Sequence, residues 1–179
     1  RALRDIADWW RQLWGESLGK NASCGPTPLL ALGSTDQHSQ IQLFNEGPDD
    51  KYIVFISVDR FRQDEPIPAL YPDDSSCDYL QGKNFSDLMK ASKSGTESAL
   101  TANHRPNATL SLPEITPRTI GGLLYLFEMA TAAAGWIYEV NPFDQPGVEA
   151  GKLATFGRLG RKGYPAPRPD EEDDRYAVR

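Results

Sequence analysis

The stretch KYIVFISVDRF, residues 51–61, restricts the possible folds of this chain more than any other segment. It is β-branched and aromatic, and its apolar run lacks the polar alternation of a half-solvated strand. A strand of that pattern is expected to be covered on both faces, as in a mainly parallel sheet held between helices. The flanking segments fit this. Apolar residues recur at helical spacing over residues 1–18 (Leu3, Ile6, Trp9, Trp10, Leu13, Trp14), with Gly19 as a stop. LLAL at 29–32 reads as a short buried strand, residues 33–35 as a turn and cap, and DQHSQIQLFNEG as the helix that follows. Beyond 51–61 come a proline-containing loop over 62–82, a polar helix over 84–103 and a strand in TLSLP at 109–113. Thr116-Pro117 opens a long helix to about Ala134. Asp144 can cap a last helix with Pro146 in its first turn. Strands alternating with helices predict the α/β class, as a three-layer αβα sandwich. Three visible strands are thin for a complete doubly wound domain, so residues 1–160 are expected to be part of something larger. Residues 161–179, proline-rich and then acidic, are expected to be a flexible tail.

The net charge of −6 argues against nucleic acid or an anionic membrane as partner, since both require a basic face. No apolar run comes near the ~20 residues that a membrane span needs, and the first residues are charged rather than signal-like. Cys24 and Cys77 have no metal-type spacing, so no metal is expected and a reduced, cytoplasmic setting is the simpler reading. Asn21, Asn84 and Asn107 head Asn-x-Ser/Thr triplets, taken as chance matches without a secretion signal.

Three places put polar groups where neither a core nor a plain surface requires them. Gln12 and Glu16 stand one helical turn apart on one face. A solvated helix edge would look the same, although an acid near a helix C-terminus opposes the dipole. His38 follows a turn at the start of a helix, where the positive dipole end favours a neutral imidazole able to exchange protons. The alternative is a capping sequence with a surface histidine, and His104 reads as surface too. In NPFDQPGVEAGK, residues 141–152, Gln145 and Lys152 are seven residues apart, which returns at ~100° per residue to nearly the same face. Gly147 and Gly151 clear that face of bulk, so a ligand could lie along it, unless the helix is simply loosely packed. SKSGT at 92–96 resembles a phosphate-cradling loop but falls inside a helical stretch, so it reads as surface.

Together these places resemble one family, the glucose-6-phosphate isomerases. GWIYEVNPFDQPGVEAGK (135–152) is similar to the family's C-terminal signature, F-D-Q-x-G-V-E-x-x-K. WGESLGK (14–20) resembles its E-S-x-G-K segment, and GSTDQHSQIQLFNEGP (33–48) its Q-H-S segment. PEITPRTIGGLLYLFE (113–128) is similar to the entry of its long helix. The matches run in order over roughly residues 5–160 and imply a sugar-isomerase (SIS-type) domain, in its C-terminal part, with trailing helices. The resemblance implies that Glu16 is the general base, moving a proton between C1 and C2 of a sugar phosphate. Gln12 would contact substrate, Gln145 the phosphate end and Lys152 the region of the ring oxygen. His38 would help open the ring, supplied across a homodimer interface that shares the active site. Metal and cofactor are not needed, because a carboxylate can carry the proton while nearby donors steady the enediolate. The family's phosphate-binding loops and enediolate-stabilising arginine lie upstream of E-S-x-G-K. An upstream half is therefore expected, with little activity from this chain alone. The rival reading is a non-catalytic module that binds sugar phosphates; a third is a purely structural domain.

Overall fold

The computed structural model describes residues 3–69 and 75–165. The expected acidic tail lies outside the described residues from 166 onward. The chain divides into two compact units. The first holds the residues up to Trp9 together with Leu29–Phe127, and the second Trp10–Pro28 together with the residues from Glu128.

The first unit contains the sheet. Strand β1, Ile53–Val58, pairs in parallel with β2, Asn107–Leu112, in a register running from Ile53 opposite Asn107 to Val58 opposite Leu112. Parallel neighbours need a crossover, and helix α4, Phe85–Ala102, supplies it after a short 3₁₀ turn at Ser75–Leu80. The start of α4 is over-determined. Asn84 and Asp87 form a capping box, and Asp64 accepts both the backbone N–H and the hydroxyl of Ser86. At the far side Thr109 of β2 donates to Glu97 of α4 at 2.6 Å, and Lys93 pairs with Glu97 one turn away. The Arg105 guanidinium binds the carbonyls of Asn45 and Gly47, which ties the loop before β2 to the segment before β1.

Three sequence expectations are corrected here. LLAL is not a strand: residues 29–32 are irregular, with Leu29 exposed, and the described sheet has two strands. At its end the Asp36 carboxylate takes the N–H of Leu32 at 2.6 Å and withdraws that one donor from any ladder. DQHSQIQLFNEG is not one helix but two short ones, α2 (Asp36–Ser39) and α3 (Ile41–Glu46), parted at Gln40 with φ −106°. Strand β1 is half-buried rather than covered on both faces, with Val54 exposed beside its single described neighbour. The small parallel sheet with its helices fits the α/β class. SKSGT does lie within a helix, where two of its hydroxyl residues are engaged: Ser92 and Thr96 of α4 hold the side chain of Gln37 from both ends.

Helices α1, Arg4–Leu18, and α5, Pro117–Ile137, run from one unit into the other, and α6, Pro146–Arg158, belongs to the second. By length and composition α5 is long and apolar enough to cross a membrane. Its burial is nonetheless one-sided: Leu123, Phe127, Thr131 and Gly135, each four residues from the next, are buried. In the second unit Leu18 is fully buried at the end of α1, and the Trp14 indole donates to the carbonyl of Pro26 at 3.1 Å. Gly25 has φ +112°, and a Cβ there would stand 2.9 Å from Gly19 Cα and from Leu18 O, so only glycine fits. Gly135 likewise lies against Pro142, whose ring atoms would be 2.7–2.9 Å from an added Cβ.

Candidate active site

The second unit brings the two ends of the described chain together around one carboxylate. Gln12 and Glu16 sit one turn apart on α1, and the Gln12 amide donates to Glu16 Oε1 at 3.1 Å. Gln145, 129 residues further on, donates to Glu16 Oε2 at 2.7 Å. Each oxygen of a half-buried carboxylate therefore accepts one amide. A carboxylate offers about four lone-pair positions, so two remain for a proton in transit. Both donors are neutral, so they fix the plane of the group without removing its charge.

The helix start that presents Gln145 differs from expectation. Asp144 does not cap α6. Gln145 occupies the N-cap position, with φ −143° and no capping bond from its side chain, and Pro146 follows in the first turn. The Asp144 carboxylate instead accepts Lys20 at 3.0 Å on one oxygen and the Asn141 amide at 2.9 Å on the other. Freed from capping, the Gln145 side chain reaches Glu16.

Lys152 is on α6 as expected, two turns from Gln145, but its ammonium is half-exposed and pairs with Glu149 at 3.8 Å. An added Cβ at Gly147 or Gly151 would meet nothing within 4 Å, but at ~100° per residue these glycines lie on the side of α6 away from Gln145 and Lys152, so they do not clear that face as expected. His38 belongs to the first unit and is exposed on α2. Because α2 is a single turn, the dipole of a long helix expected to act on His38 is missing. Its neighbour Gln37 anchors the turn to α4, and Ser39 donates to Asp36, so the imidazole is carried on a pinned loop. Two shallow depressions in the second unit, one lined by Gly135–Val140 residues and one by residues 22–26 with Tyr138, do not include Glu16 or Gln145. Among the described residues no three His, Cys, Asp or Glu side chains group as metal ligands.

Sequence reasoning attached no role to Lys20, although it closes the E-S-x-G-K segment. Its side chain is only 9% exposed, unusual enough for a lysine to have drawn notice had burial been legible.

Residues 78–157 match the family described as Phosphoglucose isomerase. The chain is 44% identical over 176 residues to the glucose-6-phosphate isomerase of Carboxydothermus hydrogenoformans, covering 94% of this chain and 38% of that relative. It is 47% identical over 165 residues to that of Rubrobacter xylanophilus, covering 92% and 38%. The chain is thus similar to phosphoglucose isomerases over part of their length. It spans 38% of the length of these two relatives. In structure it is similar to a hypothetical protein of Thermus thermophilus, with a TM-score of 0.81 and 40% identity over 88% of this chain and 39% of that one. It also shares its fold with a glucose-6-phosphate isomerase from Chlamydia trachomatis, with a TM-score of 0.72 at 23% identity, over 88% of this chain and 32% of that one.

Proposed function

We propose that this chain carries the proton-transfer centre of a glucose-6-phosphate isomerase, which interconverts glucose 6-phosphate and fructose 6-phosphate through an enediol. The observation that carries the reading is the convergence of Gln12 and Gln145 on the two oxygens of Glu16. Glu16 takes the proton from C2 of the open-chain aldose and returns it to C1; reversal runs the ketose back. Two amides holding the carboxylate plane keep one free lone pair aimed at a single line between the two carbons, which proton return to the neighbouring carbon demands. Gln12 and Gln145 then contact substrate as well, Gln145 toward the phosphate end. Lys152 and His38 serve ring opening, a step needing a proton donor and an acceptor at the hemiacetal.

The remaining parts of this reading are the family's. An upstream half supplies the phosphate loops and the arginine that steadies the enediolate. The sheet continues there into the three-layer sandwich of a sugar-isomerase domain, of which residues 1–160 are the C-terminal part. A homodimer shares His38 between sites, no cofactor or nucleic acid takes part, and the setting is cytoplasmic. The chain alone turns over little or no substrate.

The test is Glu16→Gln in the complete polypeptide, assayed with fructose 6-phosphate in deuterated water. Loss of the general base is expected to lower kcat by about 10²–10⁴-fold and to abolish solvent deuterium uptake, with sugar-phosphate binding retained. Activity within a few-fold of the parent would remove Glu16 from the role. Binding without turnover by the unmutated protein would favour a non-catalytic module instead.

A further inference from the structure

Glu16 and Lys20 are four residues apart at the end of α1, while Gln145 and Asp144 are adjacent at the start of α6. The two segments are therefore joined by two parallel rungs, Glu16 with Gln145 and Lys20 with Asp144. The rungs are unequal. Gln145 is exposed and its backbone is held by no side-chain cap, so nothing in its own position fixes where its amide points. The Lys20 side chain is 9% exposed, and its ammonium binds Asp144 twice, through the backbone carbonyl and through Oδ1 at 3.0 Å. A cation so removed from water must keep its partners, which makes this the stiffer rung. Asp144 passes the constraint on: its other oxygen takes the Asn141 amide, and Asn141 in turn accepts the N–H of Phe143 at 3.1 Å.

We propose that Lys20 is a positioning residue, whose grip on Asp144 sets the first turn of α6 so that the Gln145 amide meets the Glu16 carboxylate. The inference rests on the proton-transfer reading of Glu16 and adds a group that touches neither substrate nor base. Lys20 acts through Gln145, so its removal costs turnover only while Gln145 is present.

The experiment is a double-mutant cycle in the complete protein with Lys20→Met, Gln145→Ala and the pair, read as kcat and KM for fructose 6-phosphate. Lys20→Met is expected to lower kcat by about 10–100-fold, the scale of a 1 Å misplacement, and by less than about 3-fold once Gln145 is alanine. A full-sized loss in the Gln145→Ala background would overturn the proposal. Asp144→Asn, which keeps the shape and the backbone carbonyl, gives a second route if Lys20→Met does not fold, and the same non-additivity is expected of it. A crystal structure of either variant decides the matter apart from activity. Gln145 Nε2 moved beyond hydrogen-bond reach of Glu16 supports the proposal, and a retained bond at the parent's 2.7 Å overturns it. If the unmutated protein shows no turnover, the isomerase reading fails, while this structural comparison still judges the role of Lys20.

Discussion

A glutamine, a glutamate and a second glutamine near opposite ends of a chain have no reason to meet unless the fold brings them together, and here they do. The pairing of Gln12 with Glu16 was legible in the sequence, because residues four apart on a helix are neighbours whatever else the chain does. The contact of Gln145 with Glu16 was accessible only through the family resemblance, since no spacing rule connects residues 129 apart. Lys20 was hidden for a different reason: its importance comes from burial, and a lysine after a helix end reads from sequence alone as solvated. His38 illustrates the opposite error, because a dipole was expected from a helix that lasts a single turn. Its proposed role is still testable on its own terms. His38→Ala in the complete protein is expected to slow isomerisation of the cyclic sugar phosphate more than that of the open-chain form, measured by stopped-flow with each. Equal losses on both forms would take ring opening away from this imidazole.

At the scale of elements, three helices end alike. After α4, α5 and α6 the backbone closes with the paired bonds of a Schellman motif, as in Val140 N–H to Gly135 and Glu139 N–H to Trp136. The motif puts its C′ residue in the left-handed region, where glycine is at ease, and after α6 that residue is Gly160 with φ +70°. After α4 and α5 it is His104 at +57° and Glu139 at +55°. Glu139→Gly is therefore expected to stabilise the protein by roughly 0.5–1 kcal/mol, the relief of the left-handed strain less the added freedom of the unfolded chain. Thermal melting checks this, and an unchanged or lower midpoint would count against the assigned geometry. Boundaries with a strong local signal were legible, as at Pro117 and Asn84, whereas the start of α6 was not, because Asp144 is engaged by Lys20 and Gln145 stands at the N-cap.

For the whole molecule, the first unit holds carboxyls that bear on its stability in acid. There Asp36, Asp50, Asp64 and Glu97 are all held below the ordinary carboxylate range. The leading causes are the Leu32 N–H for Asp36, Lys51 for Asp50, the Ser86 hydroxyl for Asp64 and Lys93 for Glu97. A carboxyl whose folded pKa is depressed contributes stability above its unfolded pKa, and that contribution is lost as pH falls through the folded value. The crossover and its strands are thus expected to loosen below about pH 4, the ordinary carboxylate pKa. Asp64→Asn should lower stability at neutral pH and flatten the acid limb of a circular-dichroism titration; an acid limb as steep as the parent's would dismiss Asp64 as a contributor. The alternation of strand and helix that predicted the α/β class survives at this scale, from β1 through α4 to β2. The third strand did not: residues 29–32 are irregular, and the Asp36 carboxylate, invisible to any hydrophobic pattern, takes the Leu32 N–H.

The contact of Gly135 with Pro142 carries a consequence for how such a chain can change. Any side chain at 135 would occupy the space of the proline ring, so position 135 cannot gain one while Pro142 stands still. The loop from Pro142 leads within three residues to Gln145, and a methyl group gained on the long helix would be felt as a displaced amide at the base. A side chain at 135 is thus expected only together with a change at 142, a dependence that a library of random double substitutions scored for turnover would expose.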